Sequence, residues 1–495
     1  MKEESSLKKN ILYQTSYQVL QVITPLITSP YLARVLGAEK IGIYNYCYSA
    51  VYLFGIFAFL GLGNYGNRSI ARIPRDDIDQ RSRVFFEIVI MQWLSSAIIL
   101  ILYVSYFVMY GYVYKFLFSI ELLYLMSVAL DISWFYFGIE EFKTTTLRSG
   151  TIKLISIILI VLLVKSDRDL WIYTFIMAGG SFASSMILWI FLWGKIKRVC
   201  IPISNVKKHV IPNIVLFIPV VSIALFQYMD KVMLGSLSSM TELGYYSNAD
   251  KIINIPLGII FGLGVVMLPR ISSLVDTDDR ASVNYYINNS IVYCMWIGSA
   301  ICFGIIGVSR DFVPFFFGAG FDRCSDLLMI FAPVVLIKAW SSIFRNQCLI
   351  PHGMDREFNI SVITAAIINV LFNYTTIPRL GAVGAVLGTI IAEMVVAGLY
   401  TYFSKHYVKI RRSVFISVCF IGCGLVMSGC IKLCSICLHD YRIITRLIIE
   451  FIVGAVIYLV LSSIFFNTVL RVRIIDVLKK NCIIKCFCKE DVNEK

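Results

Sequence analysis

The chain has 495 residues, 58% of them hydrophobic and only 15% charged, with a mean hydropathy of +0.78. Soluble domains run at about 45–50% apolar and 25% charged, so these values exclude a soluble domain and indicate an integral membrane protein. The net charge of +14 calls for no nucleic acid partner, because membrane proteins collect basic residues on their cytoplasmic face.

A helix rises 1.5 Å per residue and the hydrocarbon core is about 30 Å thick, so apolar runs of about 20 residues mark crossings. The start, MKEESSLKKN and then a long apolar run, has no A-x-A cleavage site behind a short apolar stretch and reads as a retained first span. Span 1 is expected over 11–36, where Gln14, Tyr17, Gln18, Gln21 and Thr24 recur every three to four residues as a polar stripe on one helical face. Arg34 lies near its outer end.

Span 2, 41–63, runs into GLGNYGNRSIAR, Gly61 to Arg72, which carries the letters of the dinucleotide fingerprint G-x-G-x-x-G with an acidic residue, Glu87, downstream. That fingerprint works only where a short strand meets a helix N-terminus that can hold phosphates. Here an uncharged apolar run too long for a parallel strand precedes it, and Glu87 falls inside the next apolar run. The glycines are expected instead to end a helix and to let neighbouring helices approach closely.

Twelve further spans follow near 84–109, 116–139, 149–165, 170–194, 210–237, 243–269, 286–309, 324–344, 358–377, 382–404, 413–434 and 443–466. The fifth span of the whole set is short and the seventh irregular. With the N-terminus inside, 31 of the 45 Lys and Arg residues fall in inner segments and 11 in outer ones, leaving Lys231, Lys251 and Lys338 within spans. A miscounted span would invert the later loops and spoil this bias, so fourteen spans with both termini cytoplasmic are expected.

The fourteen cysteines lie mostly in spans or at the inner face and read as apolar filler; Cys434 and Cys437 make a C-x-x-C near an outer helix end, and Cys482, Cys486 and Cys488 sit in the basic tail. The four histidines are scattered, and no metal site is expected.

An internal repeat sets the domain organisation. YLARVLGAEKIGIYNYCYS between spans 1 and 2 returns about 200 residues later as YMDKVMLGSLSSMTELGYYSNADK between spans 7 and 8, with Arg34 corresponding to Lys231, Gly42 to Gly244 and Tyr44 to Tyr246. An offset of six spans keeps both copies in the same orientation. The expectation is an all-α protein of two pseudo-symmetric six-helix lobes, 1–200 and 201–407, related by an axis along the membrane normal with a cavity between them. Spans 13 and 14 (408–470) and a basic cytoplasmic tail (471–495) are added to these.

A charge at mid-bilayer costs several kcal/mol unless it faces a wet or paired site. Lys338, Ser341, Ser342 and Arg345 form a polar stripe in span 10, and Asn248, Lys251 and Asn254 another in span 8. With Arg34 and Lys231 these cations form a discontinuous track suited to a pyrophosphate, whose lost hydration several fixed cations replace. The alternative is that they pair with carboxylates across helices and hold the fold together. Tyr17, Tyr44 and Tyr246 are candidate sugar-stacking faces.

These stretches, with FVPFFFGAGFDRCSDLL entering span 10 and PHGMDREFNISVITAAIINVLFNYTTIPRLGAVGAVLGTIIAE through spans 11 and 12, resemble the polysaccharide transporters, the Wzx-type flippases of the MOP exporter superfamily, over nearly the whole chain. The resemblance implies two six-helix lobes, two trailing helices and a cationic central cavity. It also implies movement of an undecaprenyl-pyrophosphate-linked oligosaccharide (an O-antigen, capsule or exopolysaccharide repeat unit) to the outer leaflet of the bacterial cytoplasmic membrane. Arg34, Lys231 and Lys251 would contact pyrophosphate, membrane lipid would surround the protein, and polymerase and chain-length proteins are the expected partners.

A multidrug or cation antiporter of the same superfamily would favour lumenal carboxylates over these cations. A membrane polymerase or ligase would need a sizeable outer loop, and the outer segments are short. The motif G-x-x-x-x-G-K-[ST] is absent, so no ATP-driven enzyme or cofactor is expected. Alternating access would then use an H⁺, Na⁺ or substrate gradient, with Asp131 and Glu393 as coupling candidates.

Overall fold

A computed structural model describes residues 2–466 apart from 110, 111, 198, 200, 278 and 409; for residues 2–19, 112, 203, 259, 263, 265, 266 and 412 it describes the backbone alone. The tail expected over 471–495, with Cys482, Cys486 and Cys488, lies outside the described residues. Those described contain no strand and form sixteen α-helices. In chain order these are α1 (Lys2–Phe59), α2 (Leu62–Ala71), α3 (Ile78–Met109), α4 (Lys115–Leu130), α5 (Ser133–Gly138), α6 (Phe142–Leu163), α7 (Leu170–Ile190) and α8 (Lys207–Leu237). There follow α9 (Met240–Asp276), α10 (Arg280–Phe317), α11 (Asp322–Phe331), α12 (Pro333–Phe344), α13 (Asp355–Leu380), α14 (Ala382–Phe403), α15 (Ile410–Cys437) and α16 (Ile443–Phe465).

Among the described residues, 12 helical stretches are long and apolar enough to cross a membrane, and Met240–Gly262 with Met267–Asp276 adds a pair bent by 41°. The first stretch, Leu20–Ala71, has 52 residues. At 1.5 Å per residue it would reach about 78 Å, more than twice the hydrocarbon core, so it holds two crossings. They meet at Gly37, whose φ of 73° and ψ of 172° interrupt α1 with a backbone conformation open only to glycine. Fourteen crossings result, the number expected from the sequence.

Contacts divide the chain into two compact units, one of residues 1–255, 316–331 and 355–396, the other of 256–315, 332–354 and 397 onward. In the first, α1 packs against α3, α4, α6 and α8, α4 lies along α7, and α8 lies along α13. In the second, α15 pairs with α16, and Asp311 of α10 is clamped by an ion pair with Arg446 of α16 and by the Ser435 hydroxyl of α15, which donates at 2.7 Å. Large apolar side chains such as Ile101, Ile158 and Phe451 point outward, as a lipid-facing surface requires.

GLGNYGNRSIAR becomes α2, a ten-residue helix packed on α5. Gly66 lies flush against the Trp134 indole, where a Cβ would come within 2.6 Å of the ring. Nothing here cradles a phosphate: Tyr65 of this stretch hydrogen-bonds His209 Nδ1 at 2.6 Å, and His209 Nε2 lies 2.9 Å from Glu87. The acidic residue of the apparent fingerprint is therefore held by His209 and by Lys208, whose Nζ is also 2.9 Å away.

The two repeated stretches meet reciprocally. A Cβ on Gly42 would lie 1.7 Å from the Met240 carbonyl oxygen, and one on Gly244 would lie 1.9 Å from that of Ala38. Each glycine thus faces the carbonyl four residues before its counterpart, the self-complementary pattern of a two-fold contact.

Candidate functional site

Lys231 sits in the last two turns of α8 and Asp250 in the third turn of α9. The Lys231 Nζ is 2.9 Å from Asp250 Oδ2, with the two side chains 16% and 21% exposed. The ammonium also lies 5.4 Å from the centre of the Tyr228 ring. Lys251 follows Asp250 and is close enough to feel both its charge and that of Lys231. The pairing across helices weighed in the sequence occurs between Lys231 and Asp250, and Lys251 brings a second positive charge to the same place.

Arg34 is an exposed residue one turn before the Gly37 break, its stem packed on Gly318. Lys338 of α12 and Arg345, which opens a π turn over Arg345–Leu349, belong to the second unit. Gln21 is exposed on α1, whereas the side chains of Gln14, Tyr17 and Gln18 lie outside those described.

From Lys231 a chain of tyrosines runs through the first unit. Tyr228 stacks on Tyr52 with ring centres 3.9 Å apart; Tyr52, Tyr48 and Tyr44 follow one another along α1 at 5.8 Å each. Tyr124 of α4 packs at 5.5 Å on Tyr48, and Tyr173 of α7 at 4.5 Å on Tyr44. The spacing of 44, 48 and 52 places all three on one helical face. Tyr44, singled out from the sequence, is the buried end of this chain.

Tyr124 and Tyr173 also line a cavity of about 410 Å³ between α1, α4, α6 and α7, together with Arg148, Lys153 and Asp131. Arg148 is fixed by hydrogen bonds from Nη1 to the Ser184 carbonyl and from Nη2 to the Ser149 hydroxyl, at 3.1 and 3.0 Å. The sequence did not single out Arg148 or Lys153: Arg148 precedes the apolar run taken to begin at residue 149, and Lys153, four residues into that run, was counted with the loop charges. The helix in fact begins at Phe142. The available signal was the recurrence of Arg148, Ser149, Ile152, Lys153 and Ser156 every three to four residues, as in span 1.

Asp230 precedes Lys231 but points away from it into a sealed polar node. Its Oδ2 accepts from Tyr246 at 3.0 Å and from Thr389 at 2.8 Å, and its Oδ1 accepts from Asn373 at 2.6 Å. Tyr246 is therefore a buried ligand of this carboxylate, not an open stacking face, and Asn248 is likewise fully buried. Such a buried carboxylate, met by two hydroxyls and an amide N–H, is a group that can take up a proton. Asp131 accepts from the Ser133 N–H where α4 breaks into α5, and Glu393 is buried in α14. Among the described residues no three His, Cys, Asp or Glu side chains gather as a metal site.

The family model described as polysaccharide biosynthesis protein matches residues 7–275, and that described as lipid II flippase MurJ matches 148–452. The chain belongs to the polysaccharide biosynthesis protein family. It also matches the flippase family model over more than half of its length, and its described residues hold many helices long and apolar enough to cross a membrane. A relative from Escherichia coli (strain K12), named a putative O-antigen transporter, is 25% identical over 81% of this chain and 97% of its own length. A glycan biosynthesis flippase named Agl15 from Haloferax volcanii is 22% identical over 38% of this chain and 39% of its own. The fold resembles that of the lipid II flippase MurJ in an inward closed conformation, with a TM-score of 0.71 at 17% identity, over 93% of this chain and 99% of that one. An inward-facing multidrug resistance MATE transporter is more distant, with a TM-score of 0.59 at 14% identity over 81% of this chain and 95% of that one.

Proposed function

We propose that the protein flips an undecaprenyl-pyrophosphate-linked oligosaccharide from the inner to the outer leaflet of the bacterial cytoplasmic membrane by alternating access of two six-helix lobes. The observation that carries this is the Lys231–Asp250–Lys251 cluster. A charge buried in a span is costly unless it is paired, and here two lysines lie about one carboxylate, an excess of positive charge that favours an anionic group such as a pyrophosphate. Arg34, in the same unit, would extend the cationic track. Coupling to H⁺ or Na⁺ belongs to the same proposal, and the buried carboxylate of Asp230 supports proton coupling as a group that can take up a proton; Asp131 and Glu393 are the other carboxylates available. No catalytic chemistry is assigned.

The test is complementation. Expression in a bacterium lacking its own polysaccharide flippase and supplied with this protein's glycan genes should restore surface polymer. Lys231→Ala and Lys251→Ala, at equal abundance, should lower it at least about ten-fold, as expected for loss of a charge-assisted contact to a phosphate. Undiminished polymer in both variants would refute the cationic route.

A further inference from the structure

A second cavity, of about 440 Å³, opens where the chain leaves α2, enters α3 and α6 and runs out of α7. None of its lining residues belongs to the Lys231–Asp250–Lys251 cluster. Three cations face it. Arg75 is ion-paired with Glu140 and Lys195 with Glu141, all four in the cavity wall. Glu140 holds a φ of 61°, a left-handed conformation that residues other than glycine rarely adopt, and from it the carboxylate meets Arg75. Arg81, in the first turn of α3, has no such partner among the described residues: its Nε is sealed from water and meets no acceptor. A guanidinium left so at a cavity marks a place for an acceptor that the protein itself does not supply.

The rim identifies the ligand. The segment that brings Gly194 and Lys195 to the wall also carries Ile190, Phe191 and Trp193, which are 71%, 53% and 88% exposed. Exposed aromatics at the end of a membrane helix stand at the level of the lipid headgroups, where tryptophan is enriched. The cavity therefore lies at headgroup depth with an acyl-chain surface at its edge, on the face expected to be cytoplasmic. Basic pockets between helix ends on that face suit anionic headgroups. One unpaired guanidinium matches one phosphodiester, whose two free oxygens fit its fork. A free phosphate would gain nothing from Phe191 and Trp193. A zwitterionic headgroup would bring its own cation beside Arg75 and Lys195, and a pyrophosphate would call for more than one unpaired cation.

We propose that this cavity is a headgroup site for an anionic phospholipid, its phosphodiester held by Arg81 and its chains lying along Ile190, Phe191 and Trp193. Such a lipid would staple the ends of α2, α3, α6 and α7 within one unit. It is a resident of the protein, not its cargo.

The experiment is native mass spectrometry of the full-length protein released from detergent micelles, titrated with phosphatidylglycerol, with phosphatidylethanolamine, and with phosphatidylglycerol in the presence of inorganic phosphate. The first phosphatidylglycerol should bind at least about ten-fold more tightly than phosphatidylethanolamine, the worth of one charge-assisted contact. Arg81→Gln should abolish that preference and Arg81→Lys should keep part of it, whereas Lys207→Gln, at an exposed lysine outside the cavity, should leave it unchanged. Trp193→Ser, at a position too exposed to disturb the core, should also weaken the phosphatidylglycerol complex, and it serves where an Arg81 variant fails to fold. Equal binding of the two lipids, a preference that survives Arg81→Gln, equal losses in Arg81→Gln and Lys207→Gln, or full binding in Trp193→Ser would each overturn the proposal. Displacement of the lipid by inorganic phosphate, which marks a site for soluble anions, would overturn it as well.

Discussion

Asp230 and Lys231 are adjacent in sequence and serve unlike purposes, because neighbours on a helix point about 100° apart. Lys231 pairs with Asp250; Asp230 is closed off by Tyr246, Thr389 and Asn373. Removing the acceptor would leave three buried donors, each costing about 1–3 kcal/mol. Asp230→Ala should therefore lower the unfolding temperature in micelles clearly more than Asp230→Asn, and an equal effect would show that the node is not structural. A similar argument applies to Asp311 and Arg446, side chains 10% and 14% exposed. Breaking a buried pair from one side costs about 3–5 kcal/mol, whereas removing both charges costs less. Asp311→Ala should destabilise more than the double variant Asp311→Ala, Arg446→Ala, read from the same thermal unfolding. At this scale the sequence revealed which charges lie in spans, because hydropathy makes them conspicuous. It did not reveal their partners, since Asp250, Asn373 and Thr389 reach Lys231 and Asp230 from other helices.

Among the elements, α1 and α6 show what periodicity can and cannot place. The turn between spans 1 and 2 was legible as a hairpin near VLGAEK, and the structure reduces it to one residue, Gly37. A β-branched residue there would be forced into a glycine-only conformation at about 1–3 kcal/mol. Gly37→Val should reduce folded protein in the membrane, while Ala38→Val, on ordinary helical backbone, should reduce it less; equal yields would remove Gly37 from its role as the break. In α6 the polar first turns were read as loop, because a window built for apolar runs discards the amphipathic start of a helix. That displacement hid Arg148. The short α2 escaped for a related reason: ten residues that include Gly63, Asn64, Gly66 and Asn67 carry little periodic signal, and Trp134, which fixes its position, comes from α5.

For the whole molecule, the number of crossings and the distribution of basic residues were legible because the bilayer imposes both from outside. A topology with residues 72–77 inside and 166–169 outside has a direct check. In a chain whose native cysteines are replaced, Asp167→Cys should react with an impermeant maleimide on intact cells and Asp76→Cys only after permeabilisation; the reverse result would invert the protein in the membrane. The tyrosine chain belongs to this scale as well, for its six rings come from α1, α4, α7 and α8. A conveyor must release what it grips, and one deep well would stall it. For the glycan proposed above, the partly open rings of Tyr228, Tyr52, Tyr48 and Tyr124 would be neutral rungs beside the charged Lys231, each ring let go being succeeded by the next. Such a rack would tolerate sugars of different stereochemistry along its length and be selective only at its charged end.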